Sequence, residues 1–200
     1  MSLFPLKVYL EFLRGGPPSK IEDADKDTVL EVERTPDGDE IHGKCAGADT
    51  LNIDSLGIVT LPKQSGFYAY RTAAQVIPDQ TWRNIVFDTI SYDTQNEYDT
   101  VLGTFTPTKI GKYPFQAQAM FNAGVVADCR ISLRLMWFMS VMLAYNVIHT
   151  SHAGEITVPL LVPWLHIGGF YNIQVWHNFG GNVNLVTGIG NTWFSCNRMA

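Results

Sequence analysis

The sequence predicts an all-β protein, and three observations carry that prediction. Apolar residues alternate with polar ones over several stretches, which is the period of a β-strand. Clusters of Gly, Pro and Asp separate short apolar pieces between residues 20 and 62, a pattern typical of hairpins. The longest apolar stretch, residues 131–145, alternates in the same way and is predicted to be a strand. One of its sides carries Ile131, Leu133, Leu135 and Trp137.

Composition limits the class of protein. The chain has 200 residues, room for one ordinary domain with a small appendage. Charged residues make up only 16% and aromatic residues 12%, which suggests a surface covered by a partner or by copies of the chain. A formal net charge of −5 argues against nucleic-acid binding, which requires a basic face. No uninterrupted apolar run reaches the ~18 residues of a membrane-spanning helix.

The cysteines and the first residues indicate the compartment. Cys45, Cys129 and Cys196 are widely spaced and belong to no zinc or redox motif, so we expect buried or free thiols. The first apolar stretch has no basic residue before it and is interrupted by Lys7 and Glu11, unlike a signal peptide. The chain is therefore expected to be made and assembled in a cytoplasm.

Residues 1–19 are predicted to form an anchor and a hinge. The alternation over residues 3–13 favours a strand, although Leu6, Leu10 and Leu13 would also share one face of a helix. One side of the predicted strand carries the apolar residues Leu6, Val8, Leu10 and Phe12. Because a lone strand leaves its backbone groups unpaired, we expect it to dock on the sheet edge of another protein. A Gly-Gly-Pro-Pro break ends the segment.

Three further segments follow. Residues 20–62 predict a β-meander stalk, whose apolar residues are too few for a core of their own. Such a meander becomes stable when several chains wrap their apolar faces together. Residues 63–80, rich in Gly, Ala, Tyr and Gln, are predicted to be a connector. Residues 81–200 form a long series of β-rich runs and are predicted to be the head domain.

The meander resembles a known type of segment. Residues 21–59 contain the pattern D-x-D-x-D-T, then D-x-D-x-I after a short turn, and then I-D-x-x-G. This is similar to a β segment common in bacteriophage fibre and appendage proteins, with Gly43 in place of the usual aromatic residue after Ile41. In those proteins the segment precedes a C-terminal head, so the resemblance implies the same organisation here.

The most informative spacing lies in the head. Its fixed positions are Phe87, Asp93, Tyr98, Phe105, Gly111, Tyr113 and Phe115. This spacing resembles the signature of the globular head of complement component 1q, in the tumour-necrosis-factor-like superfamily. Ala117 stands where that family has Phe or Tyr. The resemblance implies a ten-stranded jelly-roll sandwich and a homotrimer with threefold symmetry.

The same residues have a physical role that does not depend on this resemblance. Tyr113 and Phe115 are two positions apart, so they face one side of a strand. Phe87 and Phe105 are expected to reach them from neighbouring strands, and the four rings would fill the centre of a two-sheet sandwich. Gly111 is expected to supply a φ that only glycine tolerates without strain. These residues are expected to build a core and to catalyse nothing.

No metal or cofactor site is predicted. Asp23, Asp25 and Asp27 copy the first half of a calcium loop. Thr28 and Arg34 then stand where the glycine and the bidentate glutamate of such a loop should be. We therefore expect a solvated acidic turn.

No catalytic residue is predicted either. His149 and His152 lack a nearby carboxylate or cysteine, which favours a polar loop over a zinc site. His166 and His177 lie in strand-like sequence, and whether they stack near a symmetry axis stays open. The head is poor in acidic residues after Asp99, which leaves little for a carboxylate-pair enzyme to work with.

Together, these patterns predict a virion structural protein of a tailed bacteriophage, either a trimeric fibre or a capsid-decoration protein (head fibre or cement protein). Its jelly-roll head would stabilise the particle or attach it to the host surface. Expected partners are copies of itself, capsid or tail and baseplate proteins, and a host-surface receptor or glycan, but neither nucleic acid nor a membrane interior. It would reside in the virion, assembled in the host cytoplasm, without a cofactor. The alternative is a non-viral, secreted, trimeric ligand-binding module similar to complement 1q.

Overall fold

The structure divides the chain into two units, Met1–Lys63 and Gln64–Ala200. It is a computed structural model that describes residues 20–32, 39–125, 128–149, 154–166 and 168–199. The predicted anchor, with Leu6, Val8, Leu10 and Phe12, lies outside the described residues. The described part of the chain contains strands and turns and no helix, so the predicted all-β class is confirmed. Accordingly, no helix within those ranges is long and apolar enough to cross a membrane.

The N-terminal unit is a five-stranded antiparallel sheet in chain order. Its strands are β1 (Lys20–Glu22), β2 (Val29–Val32), β3 (Ile41–Cys45), β4 (Ala48–Ile53) and β5 (Val59–Thr60). Ala46 and Gly47 link β3 to β4 with positive φ angles of 50° and 72°, the geometry of a two-residue hairpin turn. Asp54 closes the next turn, because its Oδ1 accepts hydrogen bonds from Leu56 N at 3.0 Å and Ile58 N at 2.9 Å.

One side of this sheet is apolar. Its register aligns Ile21, Leu30, Gly43 and Leu51 in one row and Val32, Ile41, Ile53 and Val59 in the next. Side chains two apart on a strand point the same way, so both rows form a single surface, here called the apolar face. Ile21 is 66% exposed and Val59 is 56% exposed. Among the described residues of this unit, no large hydrophobic side chain is buried.

The C-terminal unit has two main sheets. Its strands are β6 (Gly66–Tyr70), β7 (Val76–Ile77), β8 (Arg83–Asn84), β9 (Thr89–Asp93), β10 (Tyr98–Asp99), β11 (Thr104–Phe105), β12 (Gly111–Val125), β13 (Arg130–Trp137), β14 (Val141–His149), β15 (Gly154–His166), β16 (Tyr171–His177), β17 (Val183–Asn184) and β18 (Trp193–Asn197). The β13 sheet has six strands in the order β10-β11-β16-β13-β14, with β8 also paired to β16. The β12 sheet has five strands in the order β15-β12-β18-β6-β9, and β7 pairs with β17 separately. The described strands therefore do not reproduce the implied count of ten.

The core lies between the two sheets of the C-terminal unit. From the β12 sheet, Tyr113, Phe115 and Ala117 point inward and are at most 2% exposed. From the β13 sheet, Tyr171 meets them, with its ring centroid 4.7 Å from that of Phe115. The two sheets are thus held face to face by apolar contact, as in a sandwich.

Residues 63–80 differ from the predicted connector. β6 lies between β18 and β9 inside the β12 sheet, and Phe67 and Ala69 on it are fully buried. Tyr68 and Tyr70 alternate with them and are half-buried on the outer side. Gly66 and Ala69 weaken the strand signal of this segment, although Phe67, Tyr68 and Tyr70 are residue types common in strands.

Residues 131–145 form a hairpin rather than a single strand. β13 and β14 are joined through Phe138 and Met139, which both have positive φ, 51° and 57°. Such angles are uncommon outside glycine. The turn is held by Phe138 N, which donates to Phe170 O at 3.0 Å, and by the contact of the two rings at 5.2 Å. The predicted alternation of β13 is confirmed by Ile131, Leu133 and Leu135, which are fully buried.

We predict that Gly103→Ala destabilises the C-terminal unit more than Gly180→Ala does. Both glycines have positive φ, 67° and 84°, so alanine is strained at either position. That strain costs about 1–2 kcal/mol. At Gly103 the new Cβ would also lie 2.7 Å from the backbone oxygen of Ile85, whereas at Gly180 it would meet open space. Overpacking adds about 1–3 kcal/mol to the cost at Gly103.

Denaturant unfolding followed by tryptophan fluorescence measures this difference, because all 5 tryptophans lie in the C-terminal unit. Both variants are compared at one protein concentration, since association would shift the apparent stability. Equal free energies of unfolding for the two variants would contradict the prediction and show that the backbone at Ile85 moves aside.

Candidate functional site

The aromatic signature residues lie together in the core of the C-terminal unit. Phe87, Tyr98, Phe105, Tyr113 and Phe115 are all between 0% and 7% exposed. The ring centroid of Phe105 lies 6.0 Å from that of Tyr113 and 6.1 Å from that of Phe115. Aromatic pairs at such separations are stabilising, so the geometry serves packing between the sheets rather than chemistry.

Two signature residues have backbone roles, and one differs from its prediction. Asp93 Oδ2 accepts a hydrogen bond from Tyr98 N at 2.8 Å, which closes the turn between β9 and β10. Gly111 opens β12 as a strand residue and is not among the glycines with positive φ, so the prediction for it was wrong. The positive φ belongs to Gly103, in the preceding turn, where Gly103 N donates to Asp99 O at 2.8 Å.

The acidic turn between β1 and β2 brings three carboxylates together. One oxygen from each of Asp23, Asp25 and Asp27 lies within 4.8 Å of the others, and all three residues are exposed. Asp23 Oδ1 accepts a hydrogen bond from Thr28 N at 3.2 Å, and this bond lowers the pKa of the Asp23 carboxyl. No other cluster of this kind occurs within the described ranges. The turn is thus fixed by its own backbone.

The histidines occupy separate places in the fold. His149 is exposed at the end of β14, His166 ends β15, and His152 lies outside the described residues. His177 is fully buried, with Nε2 2.9 Å from Ile77 O and Nδ1 accepting from Phe179 N at 3.3 Å. Both ring nitrogens of His177 are therefore used, Nε2 to hold β16 to β7 and Nδ1 to hold the segment after β16.

The cysteines are likewise scattered. Cys45 is exposed in the N-terminal unit, whereas Cys129 and Cys196 are buried in the C-terminal unit, and none of the three forms a disulfide. Burial raises the pKa of the Cys196 thiol far above its ordinary value.

The outer side of the β12 sheet carries a surface that sequence reasoning missed, here called the tyrosine face. The ring of Tyr68 stacks on Trp193 at 5.5 Å and lies 6.4 Å from Tyr92. Burial raises the pKa of the Tyr68 hydroxyl. On β12 the outward residues from Pro114 to Met120 are uncharged. Two features of the sequence could have indicated this face: the alternation in Gly66–Tyr70 and the low charge content.

Comparison with known proteins adds the fold family. The C1q domain family model matches residues 66–148. Eiger TNF from S. frugiperda is similar in structure, with a TM-score of 0.52 at 7% identity over 68% of this chain and 93% of that chain. Murine APRIL gives a TM-score of 0.52 at 10% identity over 68% of this chain and 100% of its own. The globular domain of zebrafish complement 1qA gives 0.46 at 17% identity over 68% and 98%. No curated protein matches the chain.

The C-terminal unit therefore has a jelly-roll fold similar to that of C1q and tumour-necrosis-factor-like domains, the fold implied by the spacing from Phe87 to Phe115. The match begins at residue 66, which places β6 in this domain. The resemblance of residues 21–59 to phage fibre segments stays a prediction.

We predict that EDTA leaves the melting temperature of the full chain unchanged within about 2 °C, because no binding energy of a structural metal would be lost. The reason is that the acidic turn offers three exposed carboxylates without a bidentate glutamate after them. Differential scanning calorimetry with and without EDTA measures the shift, and Asp25→Asn is the control. A fall of many degrees in the parent protein, absent in Asp25→Asn, would reveal a structural ion.

Proposed function

We propose that this chain is a trimeric structural protein of a virus particle, a fibre or capsid-decoration protein of a tailed bacteriophage. Its jelly-roll domain would stabilise the particle and attach it to the host surface, without catalysis or a cofactor. Its partners would be further copies of the chain, capsid or tail proteins, and a host receptor. The open apolar face of the N-terminal unit is the observation that carries the trimer in this proposal.

A single-layer sheet with one apolar side has to be covered to be stable. Two rows of aliphatic side chains cross all five strands of the N-terminal unit, and Leu30 and Val32 are 43% and 44% exposed. Sheets of this kind are marginal until the apolar side packs against another layer. The groove over Gly43, about 450 Å³ in volume and lined by Leu30 and Leu51, offers room for a side chain from another copy.

The C-terminal unit supports the same assembly. C1q and tumour-necrosis-factor-like domains commonly form trimers. The tyrosine face is suited to this role because it is aromatic and nearly uncharged, and such surfaces lose little hydration energy when covered. Tyr92 and Leu161 on it are 41% and 69% exposed.

The virion assignment rests on the sequence. Residues 21–59 resemble the segment that precedes the head in phage fibre proteins, and the alternating residues 3–13 would add a strand to a particle protein. The alternative, a secreted module with a C1q-like domain, is equally compatible with the comparisons. Capsid, portal or tail genes next to the coding gene would favour the virion, and a secretion operon would favour the module.

We predict a homotrimer held in part by the apolar face. Light scattering of the purified chain is expected to give a mass of about three times the 22.3 kDa of one copy. The trimer is expected because association buries apolar area at the interface. Val32→Asp places a charge on the apolar face and is expected to weaken the trimer at least about tenfold, because a buried unpaired charge costs several kcal/mol.

Val29→Asp is the matched control, since Val29 lies on the same strand but on the opposite side of the sheet. A stable folded monomer of the parent chain at micromolar concentration would contradict the trimer. Equal weakening by the two variants would show that the apolar face has no special part in it.

We also predict that residues 1–16 anchor the protein to its particle. A chain lacking them is expected to stay trimeric and to fail to join virions, because its docking strand is gone. Val8→Asp, with Tyr9→Asp as control on the other side of the predicted strand, tests the same idea without a deletion. Co-sedimentation with particles is the measurement. Truncated protein that still sediments with virions would place the anchor elsewhere.

A further inference from the structure

The outer side of the β13 sheet carries paired arginines and tryptophans. On β13, Leu133 and its inward neighbours are buried, so Arg130 and Arg134 point to the opposite side. On β8 and β16 the register pairs Arg83 with Val175, which sets Trp82 beside Trp176. Their ring centroids are 6.5 Å apart. We call the surface formed by Arg130, Arg134, Trp82 and Trp176 the arginine face.

Each arginine lies over an indole ring. The guanidinium carbon of Arg134 is 3.8 Å from the ring centroid of Trp82, and that of Arg130 is 5.0 Å from Trp176. Both tryptophans are half-buried, so part of each indole faces solvent. Cation–π contact holds a guanidinium in place without using its hydrogen-bond donors.

Hydrogen bonds hold Arg134 further and leave donors available. Its Nε and Nη2 donate to Gln174 Oε1 at 3.0 Å and 2.7 Å. A guanidinium has five N–H donors, so three of those of Arg134 are not used by Gln174. Arg130 Nε donates to Ser132 Oγ at 3.4 Å, which leaves four. Both groups are thus held in place with hydrogen-bond donors left unused.

The charge of this face is not balanced. Within the described ranges, no acidic residue forms an ion pair with Arg130 or Arg134. Burial lowers the pKa of Arg134, consistent with a guanidinium that lacks a compensating carboxylate.

We propose that the arginine face binds an acidic saccharide, a glycan chain that carries carboxylates. The arginines supply fork-shaped donors that match a carboxylate. The solvent-exposed parts of the two indoles offer apolar contact to the C–H groups of a pyranose ring, beside the guanidinium that covers each ring. On β14, Tyr145 and His149 lie opposite Arg134 and Arg130 in the register and extend the face with further polar groups.

A site with two arginines, on a chain with a net charge of −5, fits a carboxylated sugar better than a nucleic acid. Nucleic acids need a broad basic surface that releases many counterions. This inference rests on the proposed attachment role and adds the place and the chemistry of the ligand. It does not depend on the virion assignment.

Binding of the full chain to polygalacturonate tests the inference. Biolayer interferometry at low salt and in 150 mM salt, about the physiological ionic strength, is expected to show saturable binding to polygalacturonate and none to neutral dextran. Arg134→Gln is expected to weaken it about tenfold or more, since hydrogen bonds to charged groups are the strong ones. Arg134→Lys, which keeps the charge and loses the fork, is expected to fall between the parent and Arg134→Gln.

Lys109→Gln is the matched control, because it removes one exposed positive charge outside the arginine face. The inference would be overturned if Lys109→Gln and Arg134→Gln lost the same amount of binding to polygalacturonate. It would also be overturned if the parent chain did not bind polygalacturonate, or if it bound polyglutamate or an oligonucleotide more tightly. Melting temperatures of the variants identify any that misfold. Trp82→Phe, which retains an aromatic ring, then tests the arginine face in the same binding measurement. Trimer mass is measured on the same samples, so a failure of the assembly proposal is seen separately from a failure of sugar binding.

Discussion

Aromatic packing between the two sheets of the C-terminal unit is the interaction on which the rest of that unit depends. The ring of Phe67 lies 4.4 Å from Phe105 in the opposite sheet and 4.9 Å from Phe194 in its own. Each such side chain buries on the order of 150–250 Å². Because the interior is closely packed, the inward sides of the central strands β6, β12, β13, β16 and β18 are taken up by this core. Only the outward sides remain for partners.

Those outward sides differ in chemistry. The tyrosine face of the β12 sheet is aromatic and almost uncharged, which suits contact with another copy of the chain. The arginine face of the β13 sheet has unbalanced positive charge, which suits a ligand of opposite charge. One sandwich can therefore assemble through one sheet and bind through the other, since the two faces lie on opposite sides of the same core. The apolar face of the N-terminal unit adds a separate surface for assembly.

Local signals explain which parts of the fold are predictable from sequence. The alternation in β13 and the spacing from Phe87 to Phe115 involve neighbours along the chain, and both predict buried residues. β6 escapes prediction because Gly66 and Ala69 weaken the strand signal of its aromatic residues. The arginine face escapes for another reason: Trp82 and Trp176 are brought together only by the pairing of β8 with β16, which no local pattern shows. The prediction of a positive φ at Gly111 was wrong because the glycine with that geometry is Gly103, in the turn before β12.

The distribution of thiols gives each unit a different chemical reactivity. Cys45 is exposed, whereas Cys129 and Cys196 are enclosed by the jelly roll. Thiolate is the reactive form, and burial disfavours it at Cys196. A maleimide added to the folded protein would therefore label the N-terminal unit at one position and leave the C-terminal unit unmodified. A dye at Cys45, at the end of β3, would sit on the sheet that bears the apolar face. Energy transfer between labelled copies would then report their distance within an intact assembly.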